Sequence, residues 1–193
     1  MPKVSIDSER VIFDDVFKIV EARVSYEKFD GQMSAVVRRL NFERGDSAAA
    51  IVFNSDTKKI ILTNQFKYPT LSHGSGWIIE IVAGVVERDE SPEATIVREI
   101  REEIGYQVSD LQRIADFYVT PGGSSERIHL FYAKVGEDDR VSKGGGLASE
   151  GEDIQVLQFD TPQISWMLEN HEIHDAKTLV AVTWLQQYLR DNR

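Results

Sequence analysis

Cysteine is absent from all 193 residues, which excludes a disulfide framework and any thiolate-held metal. Long apolar runs are absent too. No stretch approaches the roughly 18 continuous residues of a membrane span, and Met1 to Arg10 lacks the apolar core of a secretory signal. Positive charge is scarce: 22 Lys and Arg stand against 32 Asp and Glu, a formal charge of −10. A basic nucleic-acid face is therefore not expected, because phosphate-backbone binding needs clustered Lys and Arg. The acidic surface also repels phosphorylated metabolites, so a site for one needs a local cation. These absences point to a soluble, cytoplasmic protein with neither membrane nor nucleic acid as partner. What is present is ordinary globular usage, 41% hydrophobic and 28% charged, in a length that suits one sizeable domain with an appendage.

Residues 10 to 42 read as strands, with Asp30-Gly31 as a hairpin signal between two β-rich runs. This predicts a small N-terminal antiparallel sheet over residues 1–45, thin enough to favour packing against a second copy of the chain. AAAIVFN and KKIILTNQF follow as strands joined by the polar turn Asn54 to Thr57, and WIIEIVAG reads as one more. Ser91-Pro92-Glu93 carries the chemistry of a helix start, and Gly105 that of a helix stop. Further strands are expected in LQRIADFYV, RIHLFYAKV and DIQVLQF, with Pro121-Gly122-Gly123 and Gly144-Gly145-Gly146 as mobile breaks. Two helices close the chain, one opening at Thr161-Pro162 and one over DAKTLVAVTWLQQYLRDNR. The sum is an α+β fold with a mixed sheet, its main domain spanning 46–193.

On a wheel of about 100° per residue, Glu99, Glu102 and Glu103 flank the apolar stripe of Ile96, Ile100 and Ile104. Glutamates at i and i+4 repel by a few tenths of a kcal/mol, and burial at the rim of the core raises that cost. Arg98 can reach Glu102 but not neutralise all three. A divalent cation would, and the all-oxygen donors suit Mg²⁺, or Mn²⁺. By itself an acidic helix face is ordinarily just solvated.

The run GVVERDESPEATIVREIREEIGY carries Gly84, Glu90, Arg98, Glu99, Ile100, Glu102, Glu103 and Gly105 in the order and spacing of the Nudix box. The chain thus resembles the Nudix hydrolases. The resemblance implies an αβα sandwich that binds Mg²⁺ or Mn²⁺ and cleaves a nucleoside diphosphate linked to another group. Beyond the box, the chain is similar to the ADP-ribose and nucleoside-diphosphate-sugar pyrophosphatase branch. The similarity lies in Ala83-Gly84, in Thr120 to Glu126, in GGGLASEGEDIQV and in RRLNFERGD.

From that likeness Glu150 and Glu102 are the expected catalytic residues, Glu150 as general base. The Ala83 carbonyl, Glu99, Glu102, Glu103 and Glu152 are the expected metal ligands. A glycine-hinged segment bearing Glu150 could close over substrate and expel water. Arg39, Lys67, Glu80, Gly123 and Glu126 are the candidate substrate contacts. Arg39 could equally sit in a surface salt bridge, and Glu80 could equally pair with Lys67. Lys67 stands where related enzymes carry arginine and cannot supply the bidentate fork.

The expected reaction is metal-dependent hydrolysis of a nucleoside-diphosphate sugar. ADP-ribose, giving AMP and ribose 5-phosphate, is the leading substrate, and GDP-mannose the alternative. A nucleotide-sensing module without catalysis would show a damaged box, and this box is intact. The branch resemblance also implies a homodimer. Among the remaining candidates, His129, His171 and His174 read as structural, and Trp166 and Trp184 as core or interface.

Overall fold

The computed structural model of the chain describes residues 2–191. They form two compact units. One holds the residues up to Asp46 together with Tyr118–Arg127; the other holds Ser47–Phe117 and the residues from Ile128 onward.

The first unit is an antiparallel sheet of β1 (Val4–Asp14), β2 (Lys18–Tyr26) and β3 (Val37–Glu43), in that order. Its first strand begins at Val4, earlier than the β-rich run suggested, because VSIDSER has little apolar patterning and lies wholly exposed. Asp30-Gly31 does form the tip between β2 and β3. Gly31 adopts a φ of 80°, the Lys28 amide donates to the Gln32 carbonyl at 2.8 Å, and Asp30 accepts from the Gln32 amide at 2.9 Å. Residues 118–127 dock on β3: the Phe42 amide donates to the Gly123 carbonyl, and Ser124 Oγ donates to the Phe42 carbonyl, both at 2.8 Å.

The second unit is a seven-stranded mixed sheet between helical layers. Its strands are β4 (Ser47–Asn54), β5 (Lys59–Phe66), β6 (Trp77–Glu80), β7 (Val82–Val85), β8 (Leu111–Tyr118), β9 (Arg127–Val135) and β10 (Gln155–Asp160). The order is β10-β5-β4-β9-β8, with β6 also on β5 and β7 also on β4; β4 and β9 run parallel. Every residue of β4 is buried, as a central strand covered on both faces must be. Ala49, Ile51 and Phe53 face one core shared with α2 (Thr161–Glu169) and α3 (Ala176–Asp191). Ala48, Ala50 and Val52 face the other, shared with α1 (Pro92–Glu99). The expected αβα layering follows from that alternation.

WIIEIVAG is not one strand. The ladder breaks at Ile81, whose amide turns away from the sheet to donate to Thr178 Oγ1 at 2.9 Å. Before the break the chain pairs with β5, and after it with β4. Trp184 stacks on Tyr188 against the core shared with α2 and α3, whereas Trp166 is mostly exposed. Among the described residues no helix is long and apolar enough to cross a membrane.

Candidate active site

The site is built around α1. Ser91 Oγ accepts from the Ala94 amide at 3.1 Å and Pro92 opens the first turn, so the local sequence alone fixes where the helix begins. Ile96, Ile100 and Ile104 are fully buried against the sheet, each burial stabilising by about 1.5–3 kcal/mol. This stripe sets which way the carboxylates point. After Glu99 the helix widens into a π turn over Ile100–Ile104, and Gly105 ends it at a φ of 79°. The Gly105 amide donates to the Ile100 carbonyl at 3.1 Å, one residue beyond α spacing. Such a turn is rare and recurs at functional sites. A regular 100° wheel therefore fails past Glu99.

The widened end leaves carbonyls without helical donors. The glycine triplet supplies them: the Gly145 amide donates to the Glu103 carbonyl at 2.8 Å, and the Gly146 amide to the Glu102 carbonyl at 3.1 Å. All three glycines have positive φ. A Cβ at Gly144 would lie 2.4 Å from the Glu103 carbonyl oxygen. The triplet expected to be a mobile hinge is instead a strap fastened to the helix end.

Arg98 reaches further than the sequence suggested. Its guanidinium lies 3.2 Å from Glu90, 2.8 Å from Glu99 and 3.0 Å from Glu102. Thr95 Oγ1 adds a bond to Glu90 at 2.8 Å. The Arg98 and Thr95 bonds hold the Glu90 carboxyl below the usual range. Glu99 is pushed up: burial outweighs the Arg98 contact, and Glu102 and Glu152 add repulsion.

Glu103 is the exception. It is 4% exposed, and its Oε2 has no hydrogen-bond partner among the described residues. Burial first, then the charges of Glu99, Glu80 and Glu152, push its carboxyl up to about 9, and Lys67 offsets only part of this. The structure thus brings Glu99, Glu152, Glu80 and Lys67 around Glu103. Glu152 is itself held by the Leu147 amide at 2.9 Å, and Gly146 leaves room for it. On β7, Gly84 lies so close to Glu99 that a Cβ would fall 1.9 Å from Oε1. Ala83 precedes it, in register with Ala49 of β4.

Glu150 sits on a short exposed turn, Ala148–Glu150, its carboxylate without a partner among the described residues. An open cleft of about 800 Å³ runs along α1, bounded by Arg98, Arg101, Glu102, Gly146 and Leu147.

Does this donor set fit a hard cation? Among the described residues no group of three or more His, Asp or Glu side chains is gathered in a metal-holding arrangement. The reason is visible: Glu99 and Glu102 are turned onto Arg98. The chemistry nevertheless fits. All the donors are oxygens, and Glu103 presents a sealed oxygen with nothing among the described residues to satisfy it, a costly state for a group that must ionise.

Glu80 is engaged through both oxygens. It pairs with Lys67 at 3.2 Å through Oε1, and its Oε2 is taken by Lys177. Lys177, on the first turn of α3, also lies 3.1 Å from Asp175. Burial alone would pull its ammonium down, but Glu80 and Asp175 outweigh that and hold it above the usual lysine range. The sequence reading missed Lys177 and Asp175. Their signal was faint: a lysine in a helix's first turn opposes the dipole and asks for an acidic neighbour.

The remaining candidates lie in the first unit. Arg39 is exposed on β3, and its Nη1 donates to the Arg38 carbonyl at 3.1 Å. No carboxylate pairs with it among the described residues, so the salt bridge considered for it belongs instead to Arg38, which holds Glu21. Glu126 lies 3.6 Å from Arg44. Neither Gly122 nor Gly123 has positive φ, and a Cβ at either would meet nothing within 4 Å. The fold does not require glycine there.

The NUDIX domain family profile matches residues 43–182. GDP-mannose pyrophosphatase of Shigella flexneri serotype 5b (strain 8401) is 32% identical over 186 residues, 95% of each chain. The GDP-mannose pyrophosphatase of Escherichia coli O157:H7 matches at the same identity and coverage. Among solved structures, one described as an ADP compounds hydrolase has a TM-score of 0.76, covering 98% of this chain and 96% of its own. Its 16% identity makes this a likeness of fold.

Proposed function

Because the chain belongs to the NUDIX family and is a pyrophosphatase-type hydrolase, we propose that it cleaves the diphosphate of a nucleoside-diphosphate sugar, with GDP-mannose as first substrate. The products would be GMP and mannose 1-phosphate. The substrate preference rests on relatives that span 95% of both chains. ADP-ribose is the second reading, motivated by the loop Thr120 to Glu126, where side-chain-free Gly122 and Gly123 would let a ligand approach the backbone.

The observation that carries the catalytic reading is the buried, unpartnered oxygen of Glu103 among other carboxylates. Glu99, Glu102, Glu103 and Glu152, with the Ala83 carbonyl, would hold Mg²⁺ or Mn²⁺. When bound, such an ion cancels diphosphate charge and acidifies water. The rest is the work of the chain itself. Arg98 pairs with Glu99 and Glu102 and orients both. Glu150, exposed and uncommitted, takes the proton of the attacking water. Lys67 would meet the diphosphate. Glu80, with both oxygens on lysines, supports Lys67 before it touches any sugar.

The test is to incubate the protein with Mg²⁺ and GDP-mannose, ADP-ribose, ADP-glucose, NADH or a diadenosine polyphosphate, and to identify the products. Nucleoside monophosphate plus sugar phosphate is expected, fastest from GDP-mannose. Negligible cleavage of all five would overturn the proposal and favour a sensing module.

A further inference from the structure

The cluster formed by Lys67, Glu80, Asp175 and Lys177 is a charge arrangement that neither the box nor the strap explains. Glu80 is 6% exposed, so its ionised form needs compensation. Two ammonium groups provide it from opposite ends of the carboxylate. Lys177 takes Oε2 and is itself largely buried, its side chain 14% exposed and tied to Asp175 at 3.1 Å. Lys67 takes Oε1 at 3.2 Å, but its side chain is 43% exposed. One cation is therefore built in, and the other stands at the surface.

The backbone around them is fixed in a way that makes the difference permanent. The Asp175 carboxylate accepts from the Thr178 amide at 2.9 Å and from Thr178 Oγ1 at 2.6 Å. Thr178 Oγ1 in turn accepts from the Ile81 amide at 2.9 Å. The first turn of α3 is thus pegged to the residue following Glu80. The Lys67 carbonyl accepts from both the amide and Oγ1 of Thr70 at 2.9 Å, so its main chain is held while its ammonium ends a partly exposed side chain.

On the reading that this site cleaves a nucleoside-diphosphate sugar, we propose that Lys177 is a positioning residue that keeps Lys67 available to the diphosphate. By neutralising Glu80 from the buried side, it lets Lys67 leave Glu80 for phosphate oxygens without stranding a buried charge. Without Lys177, Glu80 would have Lys67 as its only counter-ion among the described residues and would retain it. The loss would then fall on substrate binding rather than on the chemical step.

The test compares Lys177→Met, Lys177→Arg and the double variant Glu80→Gln with Lys177→Met. For Lys177→Met, KM should rise about tenfold or more while kcat stays within about threefold, the signature of lost uniform binding. Lys177→Arg preserves the charge and should keep KM within about threefold of wild type. The double variant removes the carboxylate that captures Lys67, and KM should return towards wild type. A merely structural pair would be rescued in Tm, since the double variant leaves no buried charge stranded; the positioning role is read instead in KM and Kd, with kcat unmoved. The same three variants, titrated calorimetrically with inorganic pyrophosphate and Mg²⁺, read the effect as a Kd whether or not a sugar nucleotide is turned over. Failure of wild-type turnover then counts against the substrate reading, while the pyrophosphate series still decides this one. An unchanged KM and Kd in Lys177→Met would overturn the proposal. So would a loss that the double variant shares in full, or, should Lys177→Met not fold, a weakened Lys177→Arg or double variant.

Discussion

Glu103 is where burial and function conflict. In the metal-free protein its carboxyl is raised from an unfolded value near 4.5 to about 9. Between those two pH values the native state keeps a proton that the unfolded chain has released. Stability contributed by this group is therefore full below pH 4.5 and lost as pH rises towards 9, at most about 1.4 kcal/mol per pH unit. Metal-free thermal unfolding should show Tm falling across that window, and Glu103→Gln should flatten the fall. The same variant should keep its circular dichroism yet lose at least about a hundredfold in turnover, since even partners one step removed from a metal ligand cost 10–100-fold. Near-normal rates at saturating Mg²⁺ would remove Glu103 from the site. Gly84 gives a complementary case. A Cβ there collides with the end of the Glu99 side chain, at 1.9 Å from Oε1, and with no backbone atom among its three nearest neighbours. Gly84→Ala should consequently leave Tm nearly unchanged while displacing Glu99 and abolishing activity, a separation checked by calorimetry beside a product assay.

Among the elements, the strap behind α1 behaves in the opposite way. Gly144 combines a φ of 69° with a Cβ position 2.4 Å from the Glu103 carbonyl oxygen, and backbone cannot step aside as a glutamate tip can. Gly144→Ala should cost about 1–3 kcal/mol of stability, measured by urea unfolding, and reduce activity by shifting Glu102 and Glu103 together. What could be read in advance divides along the same line. The start of α1 was legible because Ser91, Pro92 and Glu93 act on their immediate neighbours, and its end because Gly105 does. The π turn was not, since it depends on amides arriving from Gly145 and Gly146, some forty positions on. Nor was the break at Ile81, which answers to a hydroxyl on Thr178. The glycine triplet suggested mobility because glycine permits positive φ whether the segment is loose or tightly docked. Spacing set the carboxylates beside the isoleucine stripe on a regular wheel, which fails past Glu99, and it could not foresee that Arg98 gathers Glu90, Glu99 and Glu102 while Glu103 is left over.

At the scale of the whole molecule, the thin N-terminal sheet sets the remaining problem. All eleven residues of β1 are exposed, among them Val4, Ile6, Val11, Ile12 and Phe13. Phe29 and Val16 are also open to solvent. Register irregularities between Ile6 and Ser8, and between Val11 and Phe13, interrupt the ladder with β2. Such bulges discourage a strand edge from pairing with another chain. They do nothing to hide apolar side chains, so we propose that a second copy covers them, side chain against side chain. Sedimentation equilibrium should give twice the 21.9 kDa of one chain. Val4→Asp with Ile6→Asp should yield a folded monomer, because both positions are already exposed and each lost burial weakens the pair by about 1.5–3 kcal/mol. Electrostatics sets a further sign. Each copy carries −10, so association works against long-range repulsion that salt screens over about 10 Å at 0.1 M. The dimer should therefore tighten as NaCl is raised from low ionic strength, the reverse of an interface held by ion pairs. A wild-type chain that sediments as a monomer at micromolar concentration, or a dimer that loosens with salt, would refute apolar self-association through this sheet.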